Sequence, residues 1–292
     1  MRFPQRQIPG VYHRRIGEIV VTALSDGYLD GTVEVLQNID HGEAARMLAD
    51  AFRPGRRTSV NCFAIHSGGR LALLETGCGN YLQPTAGRLR SNLAAAGIEP
   101  DAVEVVLLTH MHPDHSCGLA DRESGRRLFA NAELVVHENE PRHWDDDAAM
   151  ARADERARKL YFQAAREQIA PYRDRLRLFS TGGEVFPGVT AMPLHGHTPG
   201  HCGYMITSGS ESLLVWGDII HVPEIQVPRP EVSMEFDTDP VAAAATRRRT
   251  FEMVANERLL VAGMHIHFPG FAHLVRSGGG YAMLPEPWVQ AF

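Results

Sequence analysis

The segment His110-Met111-His112-Pro113-Asp114-His115 places three imidazoles and a carboxylate within six residues. Nitrogen and oxygen donors at that density suit Zn2+ and similar divalent ions. In an extended stretch His110 and His112 point to the same side, while Asp114 and His115, beyond Pro113, can turn toward a second ion. Three further constellations carry the same donor types: His195-Gly196-His197-Thr198-Pro199-Gly200-His201, Val215-Trp216-Gly217-Asp218 and Gly263-Met264-His265-Ile266-His267. Glycines and a proline make the first a tight, fixed turn. The residue types alone leave open which of its three histidines ligates, and whether Asp218 is a ligand or a solvated strand end.

The donors need supports, and Val103 to Leu108 is a continuous apolar run that reads as a buried strand ending at His110. Asp218 and His265 also follow apolar runs, Leu213 to Trp216 and Leu259 to Ala262, the latter the last clear strand. Ile16 to Leu24 predicts a strand closed by a Ser25-Asp26-Gly27 turn. Val60 to His66 and Leu71 to Leu74 flank Ser67-Gly68-Gly69 as a hairpin. Glu133 to His137, Val189 to Leu194 and Tyr204 to Thr207 are further strands. Pro84 to Ala96 has helical spacing and stops at Gly97. Asp239-Pro240 caps a helix running to about Asn256. On that helix Arg247-Arg248-Arg249 reads as a solvated face. The charged, Ala/Arg-rich stretch of about 138–170 predicts one or two covering helices. Without a linker or repeat, strands alternating with helices predict one layered α/β domain over 1–292.

Composition narrows the function classes. The 292 residues carry a net charge of -6, which gives no support to nucleic-acid or membrane partners. Met1 to Gln7 has no signal-peptide core, and no run is long enough to span a membrane. A cytoplasmic protein is expected, or a periplasmic one if a leader has been removed; a homodimer is compatible with the sequence. Cys62, Cys78, Cys117 and Cys202 form no Cys-x-x-Cys pair and read as reduced, space-filling thiols. The 15 histidines are clustered, which again points to metal.

Taken together, His110-x-His112-x-Asp114-His115, the His-Thr-Pro-Gly-His turn, Gly217-Asp218 and the late histidine resemble the metallo-β-lactamase superfamily. The resemblance implies a four-layer αββα sandwich with two divalent metals at one edge, zinc first and Mn, Fe or Co as alternatives. It implies that His110, His112 and His197 hold one ion, that Asp114, His115 and His265 hold the other, and that Asp218 bridges them. The family's turn motif selects His197 over His195 and His201, and its last motif favours His265 over His267. Val60-Asn61-Cys62-Phe63, Gly87-Arg88-Leu89, Gly217-Asp218-Ile219-Ile220-His221-Val222, Phe236-Asp237-Thr238-Asp239-Pro240 and His267-Phe268-Pro269-Gly270 are similar to the methyl parathion hydrolase group, which adjoins the N-acyl-homoserine lactonases. Two departures stand out. Glu75-Thr76-Gly77 replaces the family's Asp-Thr-Gly, and His221 stands where lactonases often have tyrosine.

The expected chemistry is hydrolysis of a small-molecule lactone, carboxylic ester or organophosphate triester by a metal-bridging hydroxide. Asp114 and His221 are the candidate catalytic proton carriers. Trp144, Phe236, Phe268 and Phe271 are candidate pocket walls. Phosphodiesterase, thioesterase and iron-dependent oxidoreductase are the alternative classes. Acidic net charge weighs against the first, and the short stretch after His265 weighs against a glutathione-thioesterase domain.

Overall fold

The computed structural model describes residues 3–5 and 7–291, so Met1, Arg2 and Arg6 of the N-terminal stretch lie outside the described residues. In chain order the first strands are β1 (Val11–Ile16), β2 (Ile19–Gly31), β3 (Leu36–Gln37), β4 (Arg56–Ser67), β5 (Arg70–Leu74), β6 (Val105–Leu107), β7 (Glu133–His137) and β8 (Leu176–Phe179). There follow β9 (Gly183–Phe186), β10 (Val189–Pro193), β11 (Cys202–Ser208), β12 (Glu211–Val215), β13 (Ser233–Met234), β14 (Leu260–Ala262), β15 (Phe271–Ser277) and β16 (Gly280–Pro285). One seven-stranded sheet has the order β1-β2-β4-β5-β6-β7-β8, and a second has β16-β15-β14-β12-β11-β10-β9. Strands β3 and β13 pair separately.

The period of two along each strand sorts side chains into layers. Ala72 and Leu74 of β5 and Val105 and Leu107 of β6 face the second sheet, meeting Ile206, Leu213 and Val215. Leu73 and Val106, one residue out of phase, face Leu89, Leu93 and the covering segment through Phe162 and Ile169. On the far side Leu214, Trp216 and Val261 pack on Phe251 and Val254 of the helix Pro240–Glu257. The result is the four-layer α/β sandwich expected of the family. Truncating a buried leucine such as Leu107 to alanine would cost about 2–5 kcal/mol. Among the described residues, no helix is long and apolar enough to cross a membrane.

Several boundaries differ from the sequence reading. Ser25-Asp26-Gly27 is a bulge inside the 13-residue β2, not its end. Asp26 is buried, and its carboxylate accepts from the backbone N–H groups of Cys78 (2.8 Å), Gly87 (3.1 Å) and Leu89 (2.8 Å), so the strand continues past it. The helix read from Pro84 begins only at Leu89, because Gly87 has a φ of 77° and Arg88 N–H bonds to Asp26 O. The covering segment is more broken than one or two helices. It comprises Asn139–Trp144, Asp147–Arg152 and Glu155–Ala157, then a π-helical turn Arg158–Gln163 leading into Ala164–Ile169. Asp146 and Asp154 restart helices there by accepting the N–H groups of Ala148, Ala149 and Ala157. The late helix caps on Asp239 as read, but Arg247 is buried, unlike exposed Arg248 and Arg249. Its guanidinium donates to Ile219 O (2.5 Å), Pro230 O (3.0 Å) and Val232 O (2.7 Å), clasping the loop that carries His221. The hairpin β15–β16, beyond the last strand read from sequence, closes the second sheet.

Candidate metal centre

The donor groups leave the C-terminal ends of parallel strands and converge. Strand β5 leads to Glu75, β6 to His110, β12 to Asp218 and β14 to His265; the β10–β11 connection delivers His197. One ligand atom from each of His110, His112, His197 and Asp218 lies within 4.8 Å of the others, and the same holds for Asp114, His115 and His265. Asp218 sits at the middle. Its Oδ2 is 2.9 Å from His221 Nε2, 3.2 Å from both His115 Nε2 and His265 Nε2, 3.3 Å from His197 Nε2 and 3.6 Å from His110 Nε2. Asp114 Oδ2 lies 3.4 Å from His265 Nε2 and 3.6 Å from His115 Nε2.

Burial and mutual repulsion set the protonation. His110 and His112 are held well below the ordinary imidazole range, first by burial and then by neighbouring imidazoles, so they are neutral and present lone pairs. Burial also opposes charge on Asp218, but the imidazoles of His115, His265, His221 and His110 hold its carboxyl well below the usual range. For His197 burial pulls down, yet hydrogen bonds to Asp218 and Asp237 outweigh it and raise the ring to about 9. His112 Nδ1 and His197 Nε2 face each other at 2.9 Å. Buried His110 Nε2, His115 Nε2 and Asp218 Oδ1 have no hydrogen-bond partner among the described residues. Natural interiors rarely leave such groups unpaired. Three orphaned donor atoms around one buried carboxylate fit divalent cations better than a packed polar core.

Second contacts orient the rings. His197 Nδ1 donates to Asp237 Oδ1 (2.6 Å) and His265 Nδ1 to Ser59 O (2.7 Å), which leaves each Nε2 free for the centre. Glu75, the longer acid, accepts Thr109 N–H on Oε1 (2.8 Å) and brings Oε2 to 3.4 Å from His115 Nδ1. Asn61 Nδ2 donates to Gly263 O (3.1 Å) and Ile266 O (2.7 Å), holding the His265 loop. Of the remaining histidines only His221 shares the cluster, its ring grouped with Asp218 and His265. His201 donates from Nδ1 to Leu194 O (2.7 Å) and accepts Asp218 N–H on Nε2 (2.8 Å); burial holds it at about 3. Gly217, at φ 60°, lets His201 approach, since a Cβ there would overlap Nε2. His195 meets His137 edge to face, and His267 bonds Glu224 (2.6 Å), both outside the cluster. His221 stacks on His265 with ring centroids 5.0 Å apart, and burial brings it down to about 4. Its backbone N–H bonds Gln226 Oε1 at 2.6 Å.

Glu140 had no place in the sequence reading. Fully buried, it accepts Met111 N–H (2.9 Å) and Trp144 Nε1–H (2.8 Å) on Oε2, and Thr198 Oγ1–H (2.5 Å) and Gly200 N–H (2.8 Å) on Oε1. One carboxylate therefore ties both ligand loops to the covering segment. The available signal was its position just after β7, the placement shared by the other site acids.

Two adjoining cavities open onto the cluster. One, of about 370 Å³, has Asp114, Asp218, His221 and His265 on its floor, and the other, of about 410 Å³, reaches His112 past Trp144 and Phe162. Tyr161 and Phe236 border both. Of the aromatic candidates, Trp144 and Phe236 are walls. Phe271 packs in the core against Tyr12 and Phe63, and Phe268 borders neither cavity.

The family model for the metallo-β-lactamase superfamily matches residues 55–265. The chain belongs to the metallo-β-lactamase superfamily. Within that superfamily it is similar to AbOPH, a hydrolase of known structure, at 31% identity and a TM-score of 0.91, covering 98% of this chain and 100% of that one. AidC, a dizinc quorum-quenching lactonase solved with a product, N-hexanoyl-L-homoserine, is 23% identical with a TM-score of 0.90 over 97% and 99% of the two chains, a likeness of fold. An N-acyl homoserine lactonase of Bacillus thuringiensis is 27% identical over 176 residues, which is 60% of this chain and 60% of that protein. These relatives lie in the lactonase and OPH-like branch of the superfamily.

Proposed function

We propose that this superfamily member is a metal-dependent hydrolase of small ester-type substrates: lactones, carboxylic esters or organophosphate triesters. The observation that carries the reading is Asp218 Oδ2 standing 2.9–3.6 Å from five imidazole nitrogens beneath an open cavity. His110, His112 and His197 would hold one ion, and Asp114, His115 and His265 the other, with Asp218 shared between them. Zinc is favoured by the dizinc centre of AidC. Divalent ions held there would supply Lewis acidity and nucleophile activation near neutral pH.

The chain's own residues do the rest. Asp237, Ser59 O and Glu75 fix the tautomers and orientations of His197, His265 and His115 before substrate arrives. Tyr161 and Phe236 wall off the approach and restrict water. Asp114, which borders the cavity, and His221, with Nε2 at 2.9 Å from Asp218, are the groups that hold and pass the proton to the leaving group.

Metal analysis followed by a panel of lactones, aryl esters and phosphotriesters tests the reading. Two metals per chain and turnover of at least one ester class are expected. Fewer than two metals after reconstitution, or a silent panel, would sink it. His221→Ala then tests the proton role. The expected loss is larger for poor leaving groups than for good ones, and equal losses would move the role elsewhere.

A further inference from the structure

Beside the donor cluster, the cavity of about 370 Å³ is lined by two guanidinium groups, Arg56 of β4 and Arg156 of the covering segment. We propose that they form a seat for a carboxylate on the substrate, so that the enzyme prefers esters carrying an anionic group distant from the scissile bond. This rests on the hydrolase reading and deepens it.

Arg56 is held in place. Nε donates to Thr32 O (2.9 Å) and Nη1 to buried Thr58 Oγ1 (3.1 Å), so its fork is oriented before any ligand arrives. Gly31 makes the space, since a Cβ at that residue would overlap Nη2. Nη2 itself meets no acceptor among the described residues, and neither guanidinium forms an ion pair there. The carboxylates nearest to hand are engaged elsewhere. Asp30 is paired with Arg57 through both oxygens, at 2.7 and 2.9 Å. Asp154 caps Ala157 N–H at 2.7 Å, and Glu155 pairs with Lys159 at 2.7 Å. Asp114 and Asp218, the remaining acids of the cavity, belong to the donor cluster. Burial pulls the Arg56 pKa down; the Asp114 carboxylate opposes that and the nearby Arg156 guanidinium adds to it. A desolvated, prepositioned and unpaired guanidinium is the arrangement that binds a carboxylate through paired N–H donors.

The test compares 4-acetoxybenzoate with 4-acetoxybenzamide, and the 3-substituted isomers, on wild type, Arg56→Gln and Arg156→Gln. The readout is the ratio of kcat/KM for the anionic over the neutral ester, because a folding defect lowers both and leaves the ratio alone. Wild type is expected to favour the anionic ester of at least one isomer tenfold or more, mainly in KM, with most of that preference lost in Arg56→Gln and part of it in Arg156→Gln. A wild-type ratio near one for both isomers, or a preference that survives both substitutions, overturns the proposal while leaving the hydrolase reading intact. Should no ester be cleaved, the hydrolase reading falls, and titration calorimetry with 4-hydroxybenzoate on metal-loaded protein still decides the seat. Binding weakened by Arg56→Gln supports it; binding that is absent or unchanged overturns it.

Discussion

Around Asp218 the buried side chains are fixed from two directions at once, whereas the 139–169 segment above them is anchored by Glu140 and by apolar packing of Trp144, Phe162 and Ile169, with helix caps and ion pairs on its outer face. His201 uses both ring nitrogens, and Glu140 uses both oxygens on four donors. His265 is braced between Ser59 O and Asp218. In the cover, Lys159–Glu155 is a solvated pair, a kind that contributes little to stability, and Arg166–Asp147 is half-buried on one side only. Short capped helices and a π-helical turn complete it. The contrast separates two tasks. A donor cluster is best preorganised before ions bind, and a wall over a cavity can be more adaptable.

If the floor is that tightly coupled, its centre should tolerate least. Asp218→Ala removes the oxygen shared by five imidazoles and is expected to lower both metal content and turnover by more than about a hundredfold, since loss of even an outer partner of a metal ligand costs about 10–100-fold. Elemental analysis beside kcat checks it; full occupancy with full activity would remove Asp218 from the centre. Glu140→Ala attacks the joint between the two regions. Four buried donors lose their acceptor, so the expected destabilisation is at least about 3 kcal/mol by urea unfolding, because each unsatisfied buried group costs about 1–3 kcal/mol. A change below 1 kcal/mol would mean that floor and cover are not joined there. Glu75→Gln is milder: it keeps an acceptor for Thr109 N–H but weakens the hold on His115, and metal affinity should fall about tenfold, the lower end for such partners. Competition with a chromogenic chelator measures that fall.

The same contrast explains what the sequence disclosed. Candidate metal donors are legible because their chemistry demands particular residue types in dense clusters, and His110, His112, Asp114 and His115 announce themselves in that way, whereas Asp218, which could equally end a strand in solvent, was assigned by the family resemblance. The choice of His197 over His201 came from the family motif, since isolated imidazoles look alike; the structure separates them by what each ring nitrogen meets. Glu140 was legible only as an acid shortly after a strand, because its role lies in backbone N–H groups 29 and 60 positions away, which no local pattern records. Arg247 misled for a related reason. A run of three arginines reads as one solvated face, yet successive helical residues point in different directions, and one of the three turns inward to carbonyls. Asp26 shows the limit for turns: a Ser-Asp-Gly signal marks a bulge when the acid finds three N–H groups inside. The cover was read as helix correctly in type and wrongly in continuity, because Asp146 and Asp154 serve as caps in the middle of an otherwise helical composition.

Tyr161 gives the smallest and most selective test of the division. It lies on the π-helical turn, borders both cavities and places its ring centroid 5.0 Å from that of His112, so it touches the floor without sharing its hydrogen bonds. Burial raises its phenol to about 12, and the ring therefore acts as a neutral wall. An aromatic contact of this kind is worth about 0.5–1.5 kcal/mol, which corresponds to a rise of about two- to tenfold in KM for aryl esters in Tyr161→Ala. Metal content should stay at the wild-type level, because no donor loses an orienting bond. Tyr161→Phe preserves the wall and should keep KM within about twofold, given that the ring supplies the contact. If Tyr161→Ala instead lost metal while its KM held, the cover would be part of the scaffold that organises the ions, and the separation between a rigid floor and an adaptable wall would fail at their closest point of contact.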